Sequence, residues 1–519
     1  MLERALALRR SITPPGWATL AAMLMALGFG VFHAVVAGPW VGPDERAHTG
    51  YVMALSRGVI PRIDSPIEIP PGATDLETLL AIDRASRDGG EVARDTSWVA
   101  NHPPGAYLPA LPGTILARVT GNGTSVLLWL RLTNVGFFVV AVGLTALVAR
   151  ELTDSPWTGA LAAAITANVP YALATTSLAM TDGATLAAML AVMLATMRAS
   201  RLRWQNGSLS RVTLACMACG LVRISALATA VGVVGLAFVA EAVRHRSLRL
   251  REAIVIATAT ALSSGWFYAL NVARYGDAAA SRALLGRFDR SPNGSMLEAA
   301  TDVPRGLKTL YTLAAGRVDR SFNSNVRSPW PDPALIGRPI IAVAVVAALM
   351  VGWAVTRGHL PRRFLAWTTL LVAVGLNWLM MAQHVSGGGL PHARYALIVV
   401  SVMALVIATA CTTTARIIDA SITEQEVTPR RPASRCRPAA AWLVQLTPFA
   451  VVVTHNLMGL GDVVDLTILH HLDLSQFDHV RLGPRWMALP ALAAAGAGAL
   501  GFVVFSWRQR HPGLSQSTQ

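Results

Sequence analysis

The chain has 519 residues, of which 53% are hydrophobic and only 14% are charged, and its mean hydropathy is positive. Soluble domains are about a quarter charged, so this composition excludes an ordinary soluble protein. The formal net charge of +15 comes mainly from arginines in short segments between apolar runs. That distribution follows the positive-inside rule of membrane proteins, so it does not indicate a nucleic-acid partner.

Apolar runs of roughly 18 to 25 residues recur along the chain, and runs of this length cross a bilayer as helices. The sequence therefore predicts an all-α integral membrane protein with about twelve spans. The predicted spans are 17–38, 125–149, 156–178, 181–198, 212–222, 224–242, 252–272, 338–356, 363–384, 394–416, 439–460 and 486–507.

The number of spans depends on the segment from Val212 to Ala242, which could form one long helix or two short ones that meet near Arg223. Two helices place every arginine-bearing connection on one side of the membrane, whereas one helix would move most of them outside. The positive-inside rule favours two helices and both termini in the cytoplasm. These connections are 198–211, 244–251, 357–363, 416–437 and 508–510.

The N-terminal segment combines Arg4, Arg9 and Arg10 with an apolar stretch from Trp17 to about Val36. This stretch is too long for the hydrophobic region of a cleavable signal peptide, so we expect an uncleaved first span. We expect one membrane unit with an outer cap formed by the loops 39–124 and 274–337. The cytoplasmic side carries the loop 417–438 and the tail 508–519.

The first outer loop begins with a predicted short helix from Asp44 to Ser56, which has two acidic residues, Asp44 and Glu45, in its first turn. A carboxylate at the boundary between lipid and water is suited to act as a general base on a hydroxyl. The alternative is that both acids only stabilise the helix N-terminus. Proline turns around the helix predict that it lies in the membrane interface.

The segment 42–61, with the sequence GPDERAHTGYVMALSRGVIP, resembles the first outer loop of GT-C glycosyltransferases. This superfamily includes protein O-mannosyltransferases and lipid A aminoarabinose transferases, and the chain is most similar to a bacterial branch associated with cell-surface polysaccharide genes. Further short segments follow in the order of the family: HPPGAY (102–107), TDGAT (181–185), GLVRIS (220–225), WFYALNVARYGD (266–277) and ARYAL (393–397).

The resemblance implies that a sugar is moved, with inversion, from a polyprenyl-phosphate donor to the hydroxyl of a glycan, lipid or protein acceptor. In that superfamily a first-loop carboxylate is the catalytic base, which implies Asp44, with Glu45 as the second candidate. The implied residues for donor or substrate binding are His48, His102, Asp182, Arg223, Asn271, Arg274, Arg394 and Tyr395.

A leaving phosphate needs cations, and the planar guanidinium of arginine suits this task. Arg223, Arg274 and Arg394 each lie at the outer end of a predicted span and are candidates for a phosphate clamp. The alternative for each is that its side chain only extends to lipid headgroups. Asp182 and His102 have structural alternatives too, as a helix cap and as part of a proline turn.

His384 and His392, together with His102, raise the question of a metal site. No D-x-D or H-x-x-x-H spacing accompanies them, so no cofactor is predicted, although some GT-C enzymes use a divalent cation. Two other functions remain open from the sequence: a transporter or flippase of a lipid-linked saccharide, and a polymerase or ligase of lipid-linked glycans.

Overall fold

The computed structural model describes residues 13–37, 42, 44–67, 96–121, 124–205, 207–246, 248–316, 333–361, 363–426, 437–458 and 485–510. Within these residues the chain is helical apart from turns and one isolated bridge between Pro66 and Thr96. Parts of the predicted outer loops, of the predicted cytoplasmic loop 417–438 and of the tail 508–519 lie outside the described residues.

The α-helices of the described residues are numbered in chain order. They are α1 (Pro14–Val36), α2 (Glu45–Leu55), α3 (Leu111–Thr120), α4 (Thr124–Thr153), α5 (Pro156–Ala167), α6 (Pro170–Thr176), α7 (Asp182–Arg201), α8 (Ser208–Val222), α9 (Ile224–His245), α10 (Leu250–Thr260), α11 (Trp266–Tyr275), α12 (Ser281–Arg287), α13 (Met296–Thr301), α14 (Val303–Ala315), α15 (Pro333–Thr356), α16 (Phe364–Ser386), α17 (Ile398–Glu426), α18 (Arg437–Met458) and α19 (Ala488–Arg510).

Ten apolar helices in the described part of the chain are long enough to cross a membrane, which confirms an all-α, multi-pass membrane protein. α10 and α11 count as one of these ten, because the π-helical turn Ala261–Gly265 joins them without a break. α8 is apolar but short, with 15 residues. The predicted boundary between spans near Arg223 is present, since α8 ends and α9 begins on either side of this residue.

The apolar run predicted as a single span at 156–178 is divided into α5 and α6. Pro170 has no backbone N–H and disfavours a helical conformation in the residue before it, so the helix ends ahead of it. The side-chain amide of Asn168 donates to the carbonyl oxygen of Ala164 at 2.8 Å and satisfies a helix-end acceptor. α6 ends at Thr176, and a short connection leads from there to α7 at Asp182.

The first and last helices, α1 and α19, pack closely because small residues face each other. A Cβ atom on Gly28 would lie 2.5 Å from the carbonyl oxygen of Ala491, and one on Gly498 would lie 2.7 Å from that of Ala21. α7 lies at the centre of the bundle, with 78% of its apolar stretch buried, against 17% for the stretch 250–275.

The two ends of the bundle differ in charge and in loop structure. At one end, Glu151 forms ion pairs with Arg201 at 3.1 Å and with Arg198 at 3.5 Å, and Asp154 pairs with Arg363 at 2.5 Å. Two of the arginine-bearing connections predicted to be cytoplasmic therefore lie together. The opposite end, called the loop end here, carries α2, α3 and α12 to α14.

The helix α2 is covered by other loops of the protein. Every residue from Glu45 to Ala54 is buried. The ring of Tyr51 stacks on that of Tyr107 with 4.3 Å between centroids, and the Tyr275 hydroxyl accepts from the backbone N–H of Ile63 at 2.9 Å. Contacts with distant segments thus hold residues 44–67 against the bundle.

Candidate active site

A cavity of about 1130 Å³ lies at the loop end of the bundle, bordered by α2, the start of α7, the break between α8 and α9, α12 and the end of α16. Its charged lining consists of two aspartates and five arginines. They are Asp44, Asp182, Arg46, Arg223, Arg282, Arg290 and Arg394. Seven of the ten residues that the sequence predicts for the site line this cavity: Asp44, His48, His102, Asp182, Arg223, Arg394 and Tyr395.

Asp44 presents its carboxylate to the cavity and uses both oxygens. Oδ2 accepts from the Arg394 guanidinium in a close ion pair, and Oδ1 accepts from the indole N–H of Trp98 at 3.1 Å. Burial by itself would raise the pKa of Asp44, but the positive charge of Arg394 and its hydrogen bond, together with the nearby His48 and His392, outweigh burial and hold the pKa well below its ordinary value. The carboxylate is therefore ionised at neutral pH.

Glu45, the second candidate for the base, points away from the cavity. Its side chain is fully buried, whereas the side chain of Asp44 keeps 19% of its exposure. Both carboxylate oxygens of Glu45 accept from Arg131 at 2.8 Å, and they also accept from the backbone N–H groups of Ala179 and Gly42. All of these contacts are structural, and Glu45 does not line the cavity.

Asp182 and Arg223 form a second ion pair in the cavity, with 3.2 Å between Oδ1 and Nη1. Arg223 has extended backbone geometry between α8 and α9, and Tyr268 donates its hydroxyl to the freed carbonyl oxygen of Gly220 at 2.9 Å. The sequence left Arg223 without an ionic partner. The tertiary structure supplies one, because the first turn of α7 lies beside the break.

The ring of Tyr395 lies close to two guanidinium groups. The Cζ atom of Arg223 is 5.0 Å from the ring centroid, and that of Arg394 is 5.2 Å from it. Arg394 also approaches Asp182, at 4.0 Å. Aromatic rings attract cations over their faces, so Tyr395 holds both arginines in one place. The two ion pairs and this ring form a compact cluster that we call the Asp–Arg cluster.

His48 and His102 form the wall of the cavity next to Asp44. His48 Nδ1 and the Tyr107 hydroxyl share a hydrogen bond of 2.7 Å, and the rings of His48 and His102 stack with centroids 6.2 Å apart. Burial lowers the pKa of His48 to about 3, with Arg394 and Arg223 adding to the effect. Burial likewise lowers the pKa of His102. Both imidazoles are neutral at pH 7 and donate or accept hydrogen bonds without charge.

Asn271 and Arg274, which the resemblance implied for substrate binding, hold loops in place and do not line the cavity. The Asn271 amide donates to the carbonyl oxygen of Ala278 at 3.0 Å and to that of Asn101 at 3.3 Å. The Arg274 guanidinium donates to the carbonyl oxygen of Pro61 at 3.1 Å. These contacts fix the predicted first outer loop to the end of α11.

Three further side chains that support the site escaped the sequence analysis. Arg131 binds Glu45, Asn134 accepts from the backbone N–H of Gly183 at 2.9 Å, and Trp98 binds Asp44. Arg131 and Asn134 are three residues apart and share one face of α4. Arg131 could have been found from the sequence, because an arginine within an apolar run is costly in a membrane and usually has a function. For Trp98 the surrounding sequence shows no regular hydrophobic pattern that would have marked it.

Within the described ranges, no group of three or more His, Cys, Asp or Glu side chains is close enough to hold a metal ion. His384 and His392 instead contact the ring of Tyr395 edge-on, at 5.2 and 5.5 Å between centroids. Both line the cavity.

No family model matches the chain, and no curated protein matches it in sequence. Among solved structures it is similar to ArnT from Cupriavidus metallidurans bound to undecaprenyl phosphate, at 15% identity and a TM-score of 0.45, over 95% of this chain and 76% of that one. The apo state of ArnT gives 15% identity, a TM-score of 0.36 and coverage of 88% and 75%.

The archaeal oligosaccharyltransferase AglB from Archaeoglobus fulgidus, in complex with an inhibitory peptide and a dolichol-phosphate, gives 12% identity and a TM-score of 0.37. This match covers 84% of the present chain but 60% of AglB. At such identities and with TM-scores below 0.5, these similarities do not assign roles to individual residues. Those roles are argued from the geometry of this chain.

Proposed function

We propose that this protein is a membrane glycosyltransferase that moves a sugar from a polyprenyl-phosphate donor to an acceptor hydroxyl. The observation that carries the proposal is the Asp–Arg cluster, in which a carboxylate with cavity access lies beside two guanidinium groups around one aromatic ring. This arrangement provides a base for a hydroxyl and cations for a departing phosphate. The cavity volume of about 1130 Å³ is large enough for two substrates.

The reaction is a single displacement. The acceptor oxygen forms a bond to the anomeric carbon, the bond from that carbon to the phosphate oxygen breaks, and its electron pair leaves with the polyprenyl phosphate. The proton of the acceptor hydroxyl goes to a carboxylate oxygen of Asp44. One base suffices for such an inverting transfer, in contrast to the paired carboxylates of retaining hydrolases.

Arg394 links donor binding to the basicity of Asp44. Arg394 is paired with Asp44 and helps to hold the pKa of this carboxylate low, which makes it a weak base. A donor phosphate at Arg223 and Arg394 shares these guanidinium groups. The pKa of Asp44 then rises and the carboxylate accepts a proton more readily. The base is thus strengthened when the donor is in place.

The position of the cavity in the bundle supports chemistry on the extracytoplasmic face. It lies at the loop end, opposite the cluster of Arg198, Arg201 and Arg363 that the positive-inside rule assigns to the cytoplasm. Nucleotide sugars are not available on the outer face of a bacterial inner membrane. A transferase there needs a donor anchored in the lipid, which fits an apolar carrier linked through phosphate.

The transferase assay uses full-length protein in nanodiscs, a panel of labelled polyprenyl-phosphate sugars, and an extract of cell-envelope glycans and lipids as acceptor. We expect Asp44→Asn to lose at least about a thousandfold in transfer while keeping its expression level. Asp64→Asn is the matched control, because Asp64 lies in the same loop with a side chain 62% exposed and pairs only with Arg62 among the described residues. Full activity of Asp44→Asn would refute Asp44 as the base.

The break between α8 and α9 is the observation that favours a transporter, since broken helices line the sites of many transporters. Transport predicts movement of a lipid-linked saccharide across a vesicle membrane without loss of its sugar. The same labelled donors in sealed proteoliposomes separate the two functions, because transfer releases polyprenyl phosphate. Donors linked through a diphosphate test the polymerase or ligase alternative in the same assay.

A further inference from the structure

Among the described residues, the lining of the cavity carries more positive charge than one donor can offset. Five arginines and two aspartates line it; the aspartates are paired with Arg394 and Arg223, and even without Arg46 the charges of Arg282 and Arg290 remain. A polyprenyl-phosphate sugar is a phosphodiester with a single negative charge. After the donor has bound, the cavity therefore retains a positive excess, which attracts a second anion.

The excess charge is concentrated in the mouth segment, defined here as residues 281–294, which contributes Arg282 and Arg290 to the cavity lining. Arg287 donates to the Thr96 hydroxyl at 2.9 Å, and the backbone N–H of Asn293 donates to the carbonyl oxygen of Ser386 at 2.8 Å. The segment is thus held between the first outer loop and the end of α16. Among the described residues, no carboxylate forms an ion pair with the guanidinium of Arg282 or Arg290.

A row of aromatic contacts connects this segment with Asp44. Trp98 donates to Asp44 Oδ1, its ring meets that of Phe288 edge-on at 6.0 Å between centroids, and the Cζ atom of Arg290 lies 5.4 Å from the Phe288 centroid. Arg394 binds the other carboxylate oxygen, Oδ2. The mouth segment therefore contacts Trp98, which binds the carboxylate oxygen of Asp44 that Arg394 does not bind.

We propose that the acceptor is an anionic molecule, whose phosphate or carboxylate group binds Arg282 and Arg290 while its hydroxyl reaches Asp44. This proposal rests on the proposed function and names the substrate class of the same site. Guanidinium groups bind phosphate and carboxylate through paired, charge-assisted hydrogen bonds, and the aromatic surface of Phe288 holds Arg290 in position for this contact.

Equilibrium binding to full-length protein in a neutral maltoside detergent tests the proposal without any need for turnover. The probes are octyl glucoside 6-phosphate and uncharged octyl glucoside, both radiolabelled. We expect the phosphorylated probe to bind at least about tenfold more tightly at low salt, with the difference shrinking as salt is added. The double variant Arg282→Gln/Arg290→Gln should lose this preference but bind polyprenyl phosphate as the wild type does.

Arg305→Gln is the matched control, because Arg305 lies on the neighbouring helix α14, pairs with Asp302 at 3.3 Å and does not line the cavity. Equal binding of the two probes to the wild type would overturn the proposal. So would an equal loss in Arg305→Gln. Displacement of the phosphorylated probe by equimolar phosphatidylglycerol would support the anion site and identify a lipid headgroup as the source of the anionic group. Absence of transfer with intact probe binding would count against the proposed function alone.

Discussion

Arg131 and Glu45 form a buried, two-pronged ion pair that joins three parts of the chain. The guanidinium donates to both carboxylate oxygens at 2.8 Å and to the carbonyl oxygens of Ala34 and Ala37 at the end of α1. Glu45 also accepts from the N–H of Ala179, in the connection that leads into α7. The pair therefore fixes Asp44, the residue next to Glu45, relative to Asp182 at the start of α7.

This geometry predicts that Glu45→Gln acts through stability and position. Removing one partner of a buried ion pair leaves an uncompensated charge, which costs about 3 kcal/mol or more in the free energy of unfolding. We expect thermal unfolding in detergent to show this loss for Glu45→Gln and for Arg131→Met. The double variant should lose less than the sum of the two, because no buried charge remains.

The matched control for this cycle is Arg201→Gln at the other end of the bundle. Arg201 is 52% exposed, so its ion pair with Glu151 contributes little and the unfolding temperature should hardly change. A Glu45→Gln variant that unfolds as the wild type does would contradict this structural role.

Donor affinity tests the phosphate clamp. Arg223→Ala should weaken binding of polyprenyl phosphate about tenfold or more, since it removes a charged hydrogen-bond donor from the Asp–Arg cluster. Asp182→Asn should not weaken it, because this change frees the Arg223 guanidinium for the phosphate. Arg274→Ala serves as the control, since this arginine binds backbone carbonyls outside the cavity. Unchanged affinity in Arg223→Ala would assign its side chain to the Asp182 ion pair alone.

Stability should fall as the pH is lowered from 7.5 to 5. His48 has a pKa of about 3 in the folded protein and an ordinary value of 6.5, and the pKa of His102 is also lowered. Below pH 6.5 the unfolded chain binds protons that the folded one does not, so each histidine removes about 1.4 kcal/mol of stability per pH unit. The lowered pKa of Asp44 changes the free energy of unfolding only near and below its ordinary pKa of 3.8, so Asp44 does not contribute in this range.

His48→Gln should reduce this pH dependence, because glutamine can still hydrogen-bond the Tyr107 hydroxyl but does not titrate. His359→Gln, a change at an exposed histidine outside the cavity, should leave the slope as in the wild type. The measurement is the unfolding temperature at several pH values in one detergent. A wild-type curve that is flat between pH 7.5 and 5 would show that these imidazoles are not held neutral.

Gly183→Ala should reduce both stability and transfer. A Cβ atom at this position would lie 2.5 Å from Asn134 Oδ1 and 2.7 Å from the Asn134 carbonyl oxygen, so α7 must shift away from α4 and take Asp182 with it. Overpacking of this kind costs about 1 to 3 kcal/mol. Gly136→Ala on α4 is the control, because a Cβ atom there meets nothing within 4 Å. Equal transfer rates in the two variants would contradict the tight fit at Gly183.

The sequence by itself determined where most of the helices lie, although the run 156–178, predicted as one span, forms two helices that meet at Pro170. The length of an apolar run, the position of proline and the placement of arginine are local features, and the bilayer acts on each run separately. The predicted boundary near Arg223 was therefore correct, and the short helix after Asp44 was correct within one residue at each end. The candidate residues could likewise be chosen from short segments, without knowledge of how the helices pack.

Only the tertiary structure decided which candidates share a site. Asp44 and Glu45 are neighbours with the same chemistry, and their roles separate because Arg131 on α4 takes one carboxylate while Arg394 meets the other beside the cavity. Arg223 pairs with Asp182, which lies 41 positions away in the sequence, whereas Asn271 and Arg274 donate to backbone carbonyls. Ion pairs between distant helices depend on packing, and no local pattern in the sequence records that packing.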